Sequence, residues 1–250
     1  MNHLDTGVSA ARGAALPHST AISQRARLLY AEPYARRYSG LYILPWRQKH
    51  NRNLTTLARL LDHLSRRSLP DWLDLACGPA WHFSMLAGRA RMCGVDISPA
   101  QLEQARREAP HAHFVCADMS EDVNLAPSMF DLVTNFWGGY CYLDSEDRIA
   151  SWLTRAVRWL RPNGALYMEL LLGADLAAFN SSRFARDTGF RVEPRRPDHS
   201  QWHYDDLAGR HAMTSPPLEF FLDHIGPSFD HVDAQHDGGF MVHLVARGRR

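Results

Sequence analysis

Five short apolar runs, each separated from the next by a helix-like or polar stretch, constrain this chain more than any other feature: 72–76, 92–97, 113–116, 130–136 and 165–172. A strand that is apolar on both faces has no side to offer to water, so it lies in a sheet covered on both faces. Helical patterns between the runs, over 81–88, from Ser98-Pro99 to about Glu108, and over 149–160, make that sheet parallel and doubly wound. Ser98 reads as the N-cap of the second of these helices and Pro99 as its first residue; Arg161-Pro162-Asn163-Gly164 closes the third. In open sheets of this kind ligands bind outside the carboxyl ends of the strands, at the switch in strand order. The loops after Ala76, Asp96, Cys116 and Asn135 are therefore expected around one cleft.

The flanking segments have other periods. Residues 22–65 read as helical. Leu54, Leu57, Leu60, Leu61 and Leu64 form one apolar face, and Tyr30, Tyr34, Tyr38 and Tyr42 recur every fourth residue, a stripe that suits either packing or a lid. Residues 173–216 are polar, with a weakly alternating hairpin through Phe190–Glu193 and Gln201–Tyr204. A helix over 218–225 and two strands, 229–234 and 240–246, joined by a turn at Asp237-Gly238-Gly239, end the chain. The organisation read from this is a disordered arm (1–20), a helical lid (21–66), a ligand-binding core (67–172), a substrate cover (173–216) and the last elements of the core (217–250).

Composition excludes several classes of function. A formal net charge of +1 over 250 residues gives no field for nucleic acid or a membrane surface. No apolar run approaches the ~20 residues of a membrane span, and the first 19 residues lack the apolar core of a signal peptide. Cys77, Cys93, Cys116 and Cys141 form no C-x-x-C pair and read as buried free thiols, which places the protein in the cytoplasm. His199 and His203, or His111 and His113, lack a third ligand at a convincing spacing, so no metal site is expected.

The chemistry concentrates in the loops. Asp74-Leu75-Ala76-Cys77-Gly78-Pro79-Ala80 is a glycine-containing turn of the kind that lets a ligand approach the backbone. Dinucleotides and S-adenosylmethionine (SAM) both use such turns. A pyrophosphate needs a cradle of free N–H groups, and Pro79 removes one. SAM carries no phosphate and needs an acceptor for its ammonium group, which Asp74 supplies. Asp96, 18 residues after Gly78, suits the two hydroxyls of a ribose, or alternatively the N-terminus of the next helix. Asp118-Met119 offers an acceptor for an exocyclic amine and an apolar cover for a base, or a plain turn. Asn135-Phe136-Trp137-Gly138-Gly139-Tyr140 offers ring faces for a sulfonium and glycines for substrate approach, or an aromatic plug.

These segments, with Gly94-Val95-Asp96-Ile97-Ser98, Phe130-Asp131-Leu132-Val133 and Leu160–Ala165, resemble in order and spacing the successive motifs of class I SAM-dependent methyltransferases, and the resemblance runs over about 34–247. It implies an α/β, Rossmann-like, mostly parallel seven-stranded sheet in the order 3-2-1-4-5-7-6, with strand seven antiparallel, a helical N-terminal lid and a small antiparallel insert after strand five. It implies SAM as cofactor, with Tyr38, Asp74, Ala76, Gly78, Asp96, Ile97, Asp118, Met119 and Asn135 as its site. Tyr38 falls in what resembles the family's lid segment, although Ser39 stands where the family has Asp. Of the three glycines usual in the first motif only Gly78 is kept; Ala76 and Ala80 replace the others, and a Cβ there crowds the methionine part of the cofactor.

The insert is similar to substrate covers of small-molecule methyltransferases of biosynthetic pathways. This points Phe190, Trp202, His203 and Tyr204, with Trp137 and Tyr140, at the acceptor. The expected reaction is methyl transfer to nitrogen or oxygen of a small aromatic or heteroaromatic metabolite, by a monomer or homodimer. His203 and Tyr140, with His82 as a third candidate, would serve as general base. The competing reading is a non-catalytic binding protein of the same fold.

Overall fold

Strand β1 (Asp71–Leu75) is wholly buried, and its side chains divide between two cores. Trp72 joins Leu132 and Tyr167 on one face of the sheet, and Leu73 joins Val133 and Met168 on the other. This is the period-two consequence of a strand covered on both sides. The structure, a computed structural model, describes residues 21–65, 68–121, 123–188, 191–197, 200–206 and 208–250. The expected arm (1–20), Phe190 and His199 lie outside these.

The helices are α1 (Ala21–Leu29), α2 (Tyr34–Tyr38), α3 (Arg47–Leu64), α4 (Trp81–Met85), α5 (Pro99–Glu108), α6 (Glu146–Trp159), α7 (Leu176–Asn180), α8 (Arg183–Thr188) and α9 (Leu218–Ile225). The further strands are β2 (Arg91–Asp96), β3 (His113–Cys116), β4 (Phe130–Asn135), β5 (Leu160–Leu171), β6 (Arg191–Pro194), β7 (Gln201–Asp206), β8 (Gly209–Thr214), β9 (Phe229–His236) and β10 (Met241–Arg249). Seven strands form the central sheet in the order β3-β2-β1-β4-β5-β10-β9. Leaving out the three strands of the insert, this is the order 3-2-1-4-5-7-6. β10 runs antiparallel to both β5 and β9. The N-terminus of β1 is pinned by charge, with Arg91 holding both oxygens of Asp71 (2.6 and 2.8 Å) and Arg161 bridging Asp71 and Asp131.

Four expectations need correction. The tyrosine stripe does not lie on one helix: Pro33 cannot continue α1, and α2 passes into a π-helical turn over Ser39–Ile43. The tyrosines still meet, with ring centroids 5.6 Å apart for Tyr30–Tyr34 and 5.0 Å for Tyr38–Tyr42. Residues 161–164 do not close a helix; they open β5 through an irregularity opposite β4, with Asn163 at φ 65°. The insert is a three-stranded sheet, because β8 pairs with β7 over its whole length. Cys116 is exposed, so the four free thiols are not all buried. The N-cap at Ser98 is as expected, its Oγ accepting from Gln101 N at 3.1 Å.

Candidate functional site

The carboxyl ends of β1 to β4 open into a cavity of about 770 Å³ including its mouth. Its floor is the turn after β1. Ala76 and Gly78 line it, and Ala76, Gly78 and Ala80 all take left-handed backbone, at φ 57°, 53° and 56°. The turn therefore keeps the shape that glycines would give it, with two alanines held in a conformation L-residues avoid. Asp96 ties the turn to β2: its Oδ2 accepts from Gly78 N and its Oδ1 from Ser98 N, both at 2.8 Å. Burial raises the Asp96 carboxyl above its ordinary range, and these N–H groups oppose the rise. The Ile97 N–H acts on the same carboxylate, whose remaining acceptor capacity faces the cavity, where a ribose hydroxyl would meet it.

After β3, Asp118 is buried. Its Oδ1 accepts from Ser120 N at 2.8 Å, while its Oδ2 has no hydrogen-bond partner. Gln101, on α5, lines the same cavity and leaves both ends of its amide unpartnered at 1% exposure. Buried polar atoms without partners are rare in folded proteins. Two of them in one cavity, an acceptor-only oxygen and a donor–acceptor amide, make a hydrogen-bonding edge for a flat polar ligand. Ile97 and Met119 supply apolar surface beside them, and Tyr38 and Tyr30 close the lid side.

A smaller recess of about 360 Å³ continues from this cavity past Gly78, and Asp74 lines it with His50 and His82. Asp74 accepts from Thr134 Oγ1 at 2.6 Å, and burial raises its carboxyl to about 7. His82 Nε2 lies 3.4 Å from His50 Nδ1, and burial holds both imidazoles neutral, His50 at about 4. His82 is thus a poor base at neutral pH.

A second cavity, of about 640 Å³, joins the first at Tyr30, Tyr38, Trp137 and Tyr142. Trp202, Tyr204 and Met213 of the insert close it, together with Phe179 and Phe240, and no charged side chain lines it among the described residues. Trp137 stands where the two cavities meet, at φ 55°, with its N–H donated to Glu169 Oε2 at 2.9 Å. Glu169 is fully buried in β5 and also takes Lys49 Nζ at 2.6 Å. Burial alone would raise its carboxyl, but Lys49, His243 and the Trp137 N–H overcome this and hold it at about 2. Lys49 Nζ also sits 4.0 Å over the Trp137 ring. A left-handed tryptophan is thus fixed by a buried ion pair, a form of strain that collects at functional sites.

Three expected site residues are not brought to the cavities. Tyr140 is fully buried against Phe221, and its hydroxyl both donates to Leu171 O and accepts from Leu171 N at 3.1 Å. It is a core residue, neither base nor substrate contact. Asn135 is fully buried too, bonding Leu75 O and Tyr140 N, so it fastens the loop after β4 and does not touch a cofactor cavity. His203 points to the opposite face of β7 from Trp202 and Tyr204, where it pairs with Glu193 at 2.7 Å. Tyr38, Ala76, Gly78, Asp96, Ile97, Asp118, Met119, Trp137 and Trp202 do line a cavity, as does Asp74 in the recess. Missing from the sequence reading were Gln101, Tyr142, Glu169 and His211. Glu169 alone left a signal, as the one charge in the apolar run 165–172.

Residues 73–164 match the family model described as a methyltransferase domain. Over 67 residues the chain is 43% identical to a trans-aconitate 2-methyltransferase of Enterobacter sp. (strain 638), covering 26% of this chain and 27% of that protein. Over 135 residues it is 30% identical to a malonyl-[acyl-carrier protein] O-methyltransferase of Hahella chejuensis (strain KCTC 2396), covering 52% and 47% respectively. The chain thus spans about a quarter and about half of the length of these two relatives. Its fold is similar to that of an S-adenosylmethionine-dependent methyltransferase from Clostridium acetobutylicum, with a TM-score of 0.61 at 14% identity over 87% of this chain and 98% of the other. The chain carries a methyltransferase domain, set in the Rossmann-like methyltransferase fold. No helix among the described residues is long and apolar enough to cross a membrane.

Proposed function

We propose that the protein is a SAM-dependent methyltransferase acting on a hydroxyl or N–H of a small, neutral, aromatic or heteroaromatic metabolite. One observation carries this reading: a cavity with an orphaned acceptor at Asp118 opens directly into an aromatic cavity that no charged side chain among the described residues lines. The donor set fits SAM. Asp118 Oδ2 and the Gln101 amide would hold the adenine edge, Asp96 the ribose hydroxyls, and Asp74 the ammonium, with Tyr38 closing over them. When bound, SAM supplies an electrophilic methyl group on a sulfonium that leaves as a neutral thioether. The protein's part is to hold the acceptor in line, exclude water and remove a proton. Trp137 separates the two compartments, and the aromatic walls of the second favour a flat acceptor.

Both curated relatives are named for methylating carboxylic acids or their thioester derivatives. A carboxylate acceptor needs a cation, and among the described residues none lines the second cavity. Lys49 is already committed to Glu169. The acceptor favoured here is therefore uncharged. Titration calorimetry with SAM and with S-adenosylhomocysteine tests the cofactor site. Micromolar binding, lost in Asp96→Ala, is the expected result. No heat with either ligand would favour a non-catalytic binding protein of this fold. An acceptor screen that found only carboxylates methylated would overturn the substrate class.

A further inference from the structure

The lid, the loop after β4 and the insert meet in one buried chain of hydrogen bonds. Asp206, at the end of β7, accepts at Oδ1 from His211 Nε2 at 2.9 Å. At Oδ2 it accepts from Tyr42 Oη at 2.8 Å and from Tyr34 Oη. His211, on β8, is fully buried, and its Nδ1 lies 2.6 Å from Tyr142 Oη. Tyr142 Oη in turn lies 2.9 Å from Tyr30 Oη and 3.0 Å from Tyr204 Oη. Tyr204 stacks on the imidazole at 4.2 Å and 4°.

With the His211 ring neutral, proton counting sets the direction of each bond from Asp206 to Tyr30. An ionised carboxylate only accepts, so His211 donates to it through Nε2–H, and in the neutral ring Nδ1 must then accept. Tyr142 has one proton and gives it to Nδ1. Tyr30 and Tyr204 must therefore donate to Tyr142, and Tyr30 Oη retains the capacity to accept from a further donor. Tyr30 and Tyr142 line both cavities, at the junction where an acceptor would meet the cofactor.

Resting on the methyltransferase reading above, we propose that Tyr30, Tyr142, His211 and Asp206 form a proton relay that accepts the proton released from the acceptor's attacking hydroxyl or N–H. As the acceptor atom gains its bond to carbon, its bond to hydrogen breaks and the electron pair stays on that atom. The proton passes to Tyr30 Oη, the Tyr30 proton to Tyr142 Oη, and the Tyr142 proton to His211 Nδ1. The product is an imidazolium paired with the Asp206 carboxylate, and both tyrosines end neutral. The direction agrees with burial, which raises the phenols of Tyr30 and Tyr142 well above their ordinary range, so that neither rests as a phenolate. Tyr30 is the group that faces the acceptor. His211 and Asp206 act through it as positioning residues. The titratable groups facing the imidazole are Tyr30 of the lid, Tyr142 of the loop after β4, and Tyr204 and Asp206 of β7.

The test uses the full chain with histidine labelled by nitrogen-15. Long-range proton–nitrogen spectra report the tautomer of His211, whose signal is identified by its loss in His211→Asn, or by its shift in Tyr142→Phe should that variant not fold. A neutral ring protonated at Nε2 is expected; a ring protonated at Nδ1 at neutral pH overturns the relay. 4-Nitrophenol, an aromatic hydroxyl whose ionised form is coloured, is then bound to protein loaded with S-adenosylhomocysteine. The bound probe should be about tenfold more ionised on wild type than on Tyr142→Phe or Asp206→Asn, one unit of apparent pKa. Equal ionisation on all three, or no binding of the probe, overturns the proposal. Failure of S-adenosylhomocysteine itself to bind overturns the methyltransferase reading, while the tautomer still decides the relay's geometry.

Discussion

At Ala76 and Ala80 the backbone does what a glycine would do without strain. A left-handed L-residue costs about 1–2 kcal/mol, and replacing it by glycine returns all but the ~0.5–1 kcal/mol of glycine's extra freedom in the unfolded chain. Ala76→Gly should therefore raise stability by about 0.5–1 kcal/mol in urea denaturation. Ala80 is 1% exposed and would also lose a buried methyl of about 0.8 kcal/mol, so Ala80→Gly should stay near wild type. A destabilised Ala76→Gly would mean that its methyl packs more than it strains. Asp74 carries a second prediction at this scale. Burial raises its carboxyl from 3.8 to about 7, so the folded protein keeps a proton there that the unfolded chain has lost. Its contribution to stability thus falls as pH rises from about 4 towards 7. A cationic amine beside Asp74 needs the ionised form. Affinity for S-adenosylhomocysteine should drop about tenfold per pH unit below 7, and the slope should vanish in Asp74→Asn. A slope that survives that substitution would place the ammonium elsewhere.

At the scale of elements, the parallel core was legible because its signal is local. Apolar runs bounded by Gly, Pro and Asp placed β1 to β5 within a few residues, and Ser98-Pro99 marked the start of α5. What stayed hidden depends on partners far along the chain. β8 carries Arg, His and Thr and shows no apolar alternation, so only its pairing with β7 makes it a strand. His211 is buried there because Asp206, Tyr142 and Tyr204 satisfy it, and no spacing announces that. The candidate site divided the same way. Residues placed by strand ends, Asp96 and Asp118 among them, were readable. Tyr140 and His203 were misread because polar side chains on alternating or looping backbone give no hint of which way they face. Glu169 shows what such a hidden partner does. Lys49→Met would leave its carboxylate buried without its main counter-charge, a loss of about 3–5 kcal/mol. The same change should loosen the Trp137 loop that Glu169 anchors, read as a shift in tryptophan emission. A variant as stable as wild type would mean that His243 and the Trp137 N–H suffice.

Across the whole molecule, lid and insert are one mechanical unit although the residues that join them, Tyr34 and Tyr42 to Asp206, stand 172 and 164 positions apart in sequence. Tyr34 and Tyr42 of the lid both end on Asp206 of the insert, and Tyr30 reaches Tyr204 and His211 through Tyr142. The tyrosines that roof the first cavity are thus the neighbours of those that wall the second. A ligand that orders the lid must order the insert, because the Asp206 carboxylate cannot leave its donors without a buried, unpaired charge. S-adenosylhomocysteine should therefore slow hydrogen exchange in residues 24–45 and 201–214 together, before any acceptor is added. In Asp206→Asn the lid should still be protected while protection of the insert is largely lost, since the amide replaces one acceptor oxygen by a donor. Protection confined to the lid in the wild-type protein would show two independent covers. Cofactor and acceptor would then enter without reference to each other. If the two segments respond together, the bound cofactor prepares the acceptor cavity, and water is excluded from both compartments in one closure.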